Sequence, residues 1–136
     1  MVYRISEIEG IGLSHAQKLE KAGITTTEHL LEKSRDTQAR TRLAASTGIR
    51  EVLLNKWMAM ADLMRVKGIG KRYSELLFAA GVDSTKKLLE CKPDELLRKM
   101  VEQNKAKKLS GGLPKLTAVE QWMDELRAPQ FAPARK

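Results

Sequence analysis

The chain repeats itself. Residues 8–12 read Ile-Glu-Gly-Ile-Gly and residues 66–70 read Val-Lys-Gly-Ile-Gly, an offset of 58. At that offset, without a gap, Leu19 meets Leu77, Ala22 meets Ala80, Gly23 meets Gly81 and Ile24 meets Val82, followed by Thr27 on Thr85, Leu30 on Leu88, Leu31 on Leu89 and Glu32 on Glu90. Trp57-Met58 returns as Trp122-Met123 at an offset of 65, so the second copy carries 65 − 58 = 7 extra residues, placed near Lys105–Lys115. A period of this length means two copies of one small supersecondary unit. A unit of about 60 residues buries only a modest share of its surface, so two copies gain by packing together. We read an internal duplication, with units at residues 1–62 and 63–127. The remaining residues, 128–136, have the Ala/Pro-rich composition of a disordered tail.

Both units read as helical. Ser6-x-x-Glu9, Ser14-x-x-Gln17, Thr25-x-x-Glu28 and Thr117-x-x-Glu120 have the capping-box spacing. Gly23, Gly48 and Gly81 follow apolar-periodic segments, where helices end. Nothing alternates like a half-buried strand. The predicted helices are 6–9, 14–22, 26–33, 37–47, 50–66, 72–80, 85–91, 94–108 and 116–127, an all-α fold. Aromatics are only 4% of the chain, so the core rests on Leu, Ile, Val, Ala and Met, with Trp57 and Trp122 as anchors of the closing helices. No Gly or Pro lies between Arg50 and Lys67, which predicts that the last helix of the first unit runs straight into the second.

Several function classes are disfavoured. One cysteine, Cys91, excludes an internal disulfide and reads as a small buried apolar residue. No Cys/His cluster has metal spacing, and His15 and His29 lack ligand partners. Asp62, Asp94 and Asp124 show no paired arrangement for metal-assisted hydrolysis, and there is no GxxxxGK[ST] loop. The expectation is a non-enzyme without cofactor. No signal-peptide pattern or run of about 18 apolar residues appears, so no membrane partner and a cytoplasmic location are expected.

The repeated Gly-Ile-Gly points to a chemistry. Glycine permits a tight turn with positive φ, while Ile11 or Ile69 points inward and pins it. The helix that follows opens with amides lacking intrahelical partners, a small anion site that no side chain overhangs. The charge of +8 is uneven: residues 1–62 hold 9 Lys/Arg and 8 Asp/Glu, and residues 63–136 hold 16 and 9. Lys67, Lys71 and Arg72 flank the second turn, where the first has Glu9, Leu13 and Ser14. A carboxylate beside an anion site repels its ligand, although Ser14 offers a hydrogen bond. The second turn is therefore expected to be the working one.

These residues resemble the helix-hairpin-helix family, with its pattern h-x-G-h-G-x-x-x-A-x-x-h followed by Gly-Ile/Val. The first unit supplies Ile8 to Gly12, Ala16, Leu19, Gly23 and Ile24; the second supplies Val66 to Gly70, Leu77, Gly81 and Val82, with Ser74 replacing the usual Ala. Over roughly residues 3–127, including the Leu113–Trp122 ending, the chain also resembles an uncharacterised bacterial family of tandem modules of this kind. The resemblance implies that amides around Gly68, Gly70, Lys71, Arg72 and Tyr73 face phosphate, with Gly10, Gly12 and Ser14 as the counterpart. It also implies an optional monovalent ion on carbonyls of Met64, Val66 and Ile69, or of Ser6, Ile8 and Ile11. Each unit contains a second, degenerate turn, at Ser46–Arg50 and in the inserted segment 105–112. Lys105, Lys107 and Lys108 beside Gly111-Gly112 make a further candidate patch. The function expected is sequence-tolerant binding to nucleic-acid backbone, DNA favoured over RNA. The rival is a protein-interaction adaptor docking through the near-neutral first unit, and a third reading is a subunit of a repair or transcription enzyme.

Overall fold

The computed structural model describes residues 2–108, 112–129 and 131. A 3₁₀ turn at Ile5–Glu7 is followed by eight helices: α1 Leu13–Lys21, α2 Thr27–Lys33, α3 Thr37–Thr47, α4 Glu51–Leu63, α5 Gly70–Ala79, α6 Thr85–Glu90, α7 Pro93–Lys107 and α8 Leu116–Arg127. Among the described residues there is no strand, and one isolated bridge pairs Arg4 with Thr26. The fold is all-α, as expected. None of the described helices is long and apolar enough to cross a membrane.

Tertiary burial, more than capping spacing, sets where the helices begin. The caps in use are Thr26, Asp36 and Ser84, whose side chains accept from the amides of His29 (3.1 Å), Ala39 (2.7 Å) and Lys87 (3.1 Å). None of the four predicted capping boxes caps its helix: α1 opens after Gly12 and α8 after Lys115, without a side-chain cap. The 6–9 helix is the shorter 3₁₀ turn at Ile5–Glu7. In the Thr25-Thr26-Thr27 run, Thr27 is buried, its hydroxyl accepting from the Tyr3 amide at 3.1 Å and its amide donating to the Tyr3 carbonyl at 2.9 Å. That pairing puts Thr26, one residue from the predicted position, at the cap. Helix ends follow expectation more closely. α1 and α5 close with the Ile24 amide on the Leu19 carbonyl and the Val82 amide on the Leu77 carbonyl, each at 2.9 Å, and all four of these side chains are buried.

Helices of 6–15 residues are marginal alone in water, so packing must hold them. Two apolar clusters do this. One gathers Ile5, Ile8, Leu19, Ile24, Leu30, Leu54, Trp57 and Met60; the other gathers Val66, Ile69, Leu76, Leu77, Leu88, Met100, Val119 and Trp122. Each such burial is worth about 1.5–3 kcal/mol. α4 serves both clusters, with Trp57, Met60 and Ala61 in the first and Leu63 in the second. It therefore spans the boundary expected at 62–63. It stops at Leu63, three residues before the predicted end, where Met64 caps it and the Val66 amide closes back on the Leu63 carbonyl at 3.1 Å.

Asp62, near the end of α4, joins it to α6: its carboxylate accepts from the Thr85 amide (2.7 Å) and hydroxyl (3.0 Å), and pairs with Arg65 at 2.9 Å. Of the tail, Phe131 packs half-buried on the second cluster, 4.7 Å from the Arg65 guanidinium. The rest of the expected tail at 130 and 132–136, and residues 109–111 of the candidate lysine-glycine patch, lie outside the described residues.

Candidate nucleic-acid interface

The second glycine turn is built from the inside out. Met64, Val66 and Ile69 are buried, which leaves Lys67 and Gly68 on the outer side of the corner with Lys71 and Arg72 beside them, all exposed. Gly68 has φ +94°, and a Cβ there would stand 3.3 Å from the Trp122 indole Nε1. The first turn repeats the arrangement at Gly10, with φ +95° and Trp57 Nε1 at 3.7 Å. In each case the tryptophan of a helix remote in sequence packs under the turn glycine. Sequence reading placed both tryptophans in the core but missed this contact, which only the folded chain creates. The adjoining ring is also in place: His15 meets Trp57 edge-on with centroids 5.1 Å apart, and Tyr73 meets Trp122 at 5.7 Å.

The turns then diverge. Gly12 is extended (φ −83°) and caps α1, whereas Gly70 has φ +58° and is itself the first residue of α5, with Ile69 in helical conformation before it. The expected pair of positive torsions thus occurs in the second turn alone. Ser74 fills the small-residue position fully buried, its hydroxyl donating to the Lys71 carbonyl at 3.0 Å.

The donor inventory is smaller than the resemblance implied. The Tyr73 amide donates to the Ile69 carbonyl at 3.3 Å, which removes it from the expected set. The Lys67 amide donates to Glu125 Oε2 at 3.1 Å, so a carboxylate from α8 already holds one donor of the corner. The amides of Gly68, Gly70, Lys71 and Arg72 donate to no described residue. Four main-chain donors and three cations (Lys67, Lys71 and Arg72) therefore share one corner, exposed except at the half-buried Gly70.

The carbonyls suggested for a monovalent ion are partly committed, since Val66 accepts from Ile69 and Ile69 from Tyr73, both at 3.3 Å. An ion there would rest on their second lone pairs. No group of three or more His, Cys, Asp or Glu side chains suited to a metal occurs among the described residues.

The first turn presents a different surface. Glu9, Gly10, Gly12 and Ser14 are exposed, and Leu13, where the second turn has Lys71, is 78% exposed. Lys105 and Lys107 occupy the last turn of α7, and Lys108 ends it in the left-handed region at φ 51°. No hydrogen bond or ion pair among the described residues ties these lysines to the Gly68 corner.

Fold and corner together define a small all-helical protein that offers free amides and cations at a glycine turn. The chain belongs to the family described as a domain of unknown function, DUF4332, whose model matches residues 9–128. No curated protein and no solved structure matches it.

Proposed function

We propose that the chain is a non-catalytic, sequence-tolerant binder of nucleic-acid backbone, built as two helix-hairpin-helix units that arose by duplication. The observation that carries this reading is the corner at 68–72, where four uncommitted amides sit beside the exposed Lys67, Lys71 and Arg72. Main-chain donors of this kind hold phosphate and position a protein without reading bases. The paired unit is supported by the matching φ values of Gly10 and Gly68, the tryptophan under each, and the same helix ending at Gly23 and Gly81. With few phosphates engaged, affinity should be on the order of 10⁻⁴–10⁻⁶ M and fall steeply with salt.

The test is a polarisation titration with labelled single- and double-stranded DNA and RNA at two salt concentrations. Lys71→Glu/Arg72→Glu should abolish most binding with the helical circular-dichroism signal intact, and Leu13→Glu/Ser14→Glu should do less. Equal losses would remove the distinction between the turns, and no binding by the unaltered chain would remove the function. One observation favours the adaptor reading for the first turn: Leu13 is a large apolar side chain standing in solvent beside a glycine corner edged by Glu9. Salt-insensitive capture of a protein, without an oligonucleotide shift, is the result that reading requires.

A further inference from the structure

The first half carries a basic groove that its net charge of +1 conceals. Lys18 and Lys21 from the last turn of α1, Lys33 from the end of α2 and Arg42 from α3 line one opening of about 660 Å³, with Leu43 of the core among its walls. All four cations are exposed, no carboxylate lines the groove, and none of the four forms an ion pair among the described residues. None of the eight acids of residues 1–62 that balance the count lines it, although Asp36 accepts from the amide of the lining residue Ala39 at 2.7 Å.

A simpler role would be to offset helix dipoles, since the groove gathers the C-terminal ends of α1, α2 and α3. Each helix end carries about half a negative charge, so three supply roughly −1.5 against four full positive charges. The lining cations thus exceed the helix-end charge by about 2.5. The Ser46 and Thr47 hydroxyls on the rim do not supply the attraction, because they donate to the Leu43 carbonyl at 3.2 and 2.7 Å. Positive charge in a concave space is what the groove offers, and concavity focuses that field. The volume lies within the range of small-ligand sites, about 300–1,000 Å³. Cations on three separate helices suit several linked anionic groups better than one.

We propose that this groove binds an oligophosphate chain, either the phosphates of a free nucleotide-like molecule or successive phosphates of a nucleic-acid backbone. It lies at the opposite end of α1 from the Gly10–Gly12 turn and is independent of the Gly68 corner. The probe is sodium tripolyphosphate, titrated calorimetrically into the full chain carrying Lys71→Glu/Arg72→Glu, so that the Gly68 corner does not contribute. Saturable binding should weaken at least tenfold in Lys21→Glu/Arg42→Glu. It should persist in Lys86→Glu/Lys87→Glu, which makes the same charge change on exposed residues of α6. Circular dichroism checks that each variant folds.

A labelled oligonucleotide identifies the source of the phosphates. If tripolyphosphate displaces it from Lys71→Glu/Arg72→Glu, the groove takes backbone phosphates. If that variant no longer holds the oligonucleotide yet keeps tripolyphosphate, the groove takes a free chain. No saturable tripolyphosphate binding, or an equal loss in the Lys86/Lys87 control, overturns the proposal and leaves the Gly68 corner untouched.

Discussion

Asp62 gives both oxygens to its neighbours, and one of them, Oδ2, receives the amide and the hydroxyl of Thr85 at once. In the first half the residue at the matching place, Thr27, is anchored by the main chain of Tyr3. The difference has a physical cause. Tyr3 lies outside any helix and its backbone pairs with Thr27, whereas the corresponding stretch of the second half lies inside α4, where the backbone is committed to helix bonds. A side chain must therefore do there what a peptide group does in the first half. Asp62→Ala should destabilise the protein by about 3 kcal/mol in urea unfolding, since it leaves the Thr85 amide and hydroxyl without their acceptor and removes the ion pair with Arg65. Thr85→Val should cost less.

The glycines above the tryptophans should differ measurably. Gly68→Ala and Gly10→Ala both impose a positive φ on a residue with a Cβ, at about 1–2 kcal/mol. At Gly68 the new methyl would also meet the Trp122 indole at 3.3 Å, against 3.7 Å for Trp57 at Gly10. Thermal denaturation should show the larger fall in Tm for Gly68→Ala. Equal falls would mean that the indole yields freely.

In the proposed mode Glu125 would compete with phosphate, because its carboxylate accepts from the Lys67 amide. Glu125→Gln removes the negative charge and should raise oligonucleotide affinity about threefold to tenfold at low salt, an effect that screening should reduce as salt is added. An unchanged affinity would place bound phosphate away from Lys67.

Lys71 and Arg72 each neutralise a phosphate in the proposed mode. Replacing one of them with Ala should lower the slope of log affinity against log salt by about one and weaken all sequences alike. A change confined to one sequence would point to base reading instead.

Cys91 is half-buried against the second cluster, with its thiol donating to the Lys87 carbonyl at 3.3 Å. Burial pushes this thiol up from its ordinary value, with nearby Lys99 acting in the opposite sense. The thiolate is therefore scarce at neutral pH, and alkylation by iodoacetamide should be slower than in the denatured chain, accelerating as pH rises past the ordinary thiol range. The linkage has one sign: the raised value contributes stability below the unfolded thiol pKa, and that contribution fades as pH climbs through the folded one. The full burial expected for this residue does not occur.

Helix placement was largely legible. The segments 37–47 and 116–127 match the expectation residue for residue, because apolar periodicity and helix-ending glycines act over a few positions. Helix starts were less so. Thr25 and Thr26 are equally good caps in isolation, and Thr27 chooses between them through a contact with Tyr3, 24 residues away. The basic corner at Lys67–Arg72 was legible because its cations are neighbours in the chain. The groove was not, since Lys18 and Arg42 stand 24 positions apart and their charges cancel against acids that do not line it in any count by segment.

What the amino-acid order determined by itself is local: which stretches coil, where glycine breaks them, and that Ile11 and Ile69 turn inward at the corners. Packing decided the rest. It set a tryptophan beneath each turn glycine, gave Glu125 one amide of the basic corner, and gathered four cations from three helices onto one wall. Periodicity and capping act within a turn or two of helix, whereas an electric field and a buried contact depend on distances in space, which a linear chain acquires only by folding.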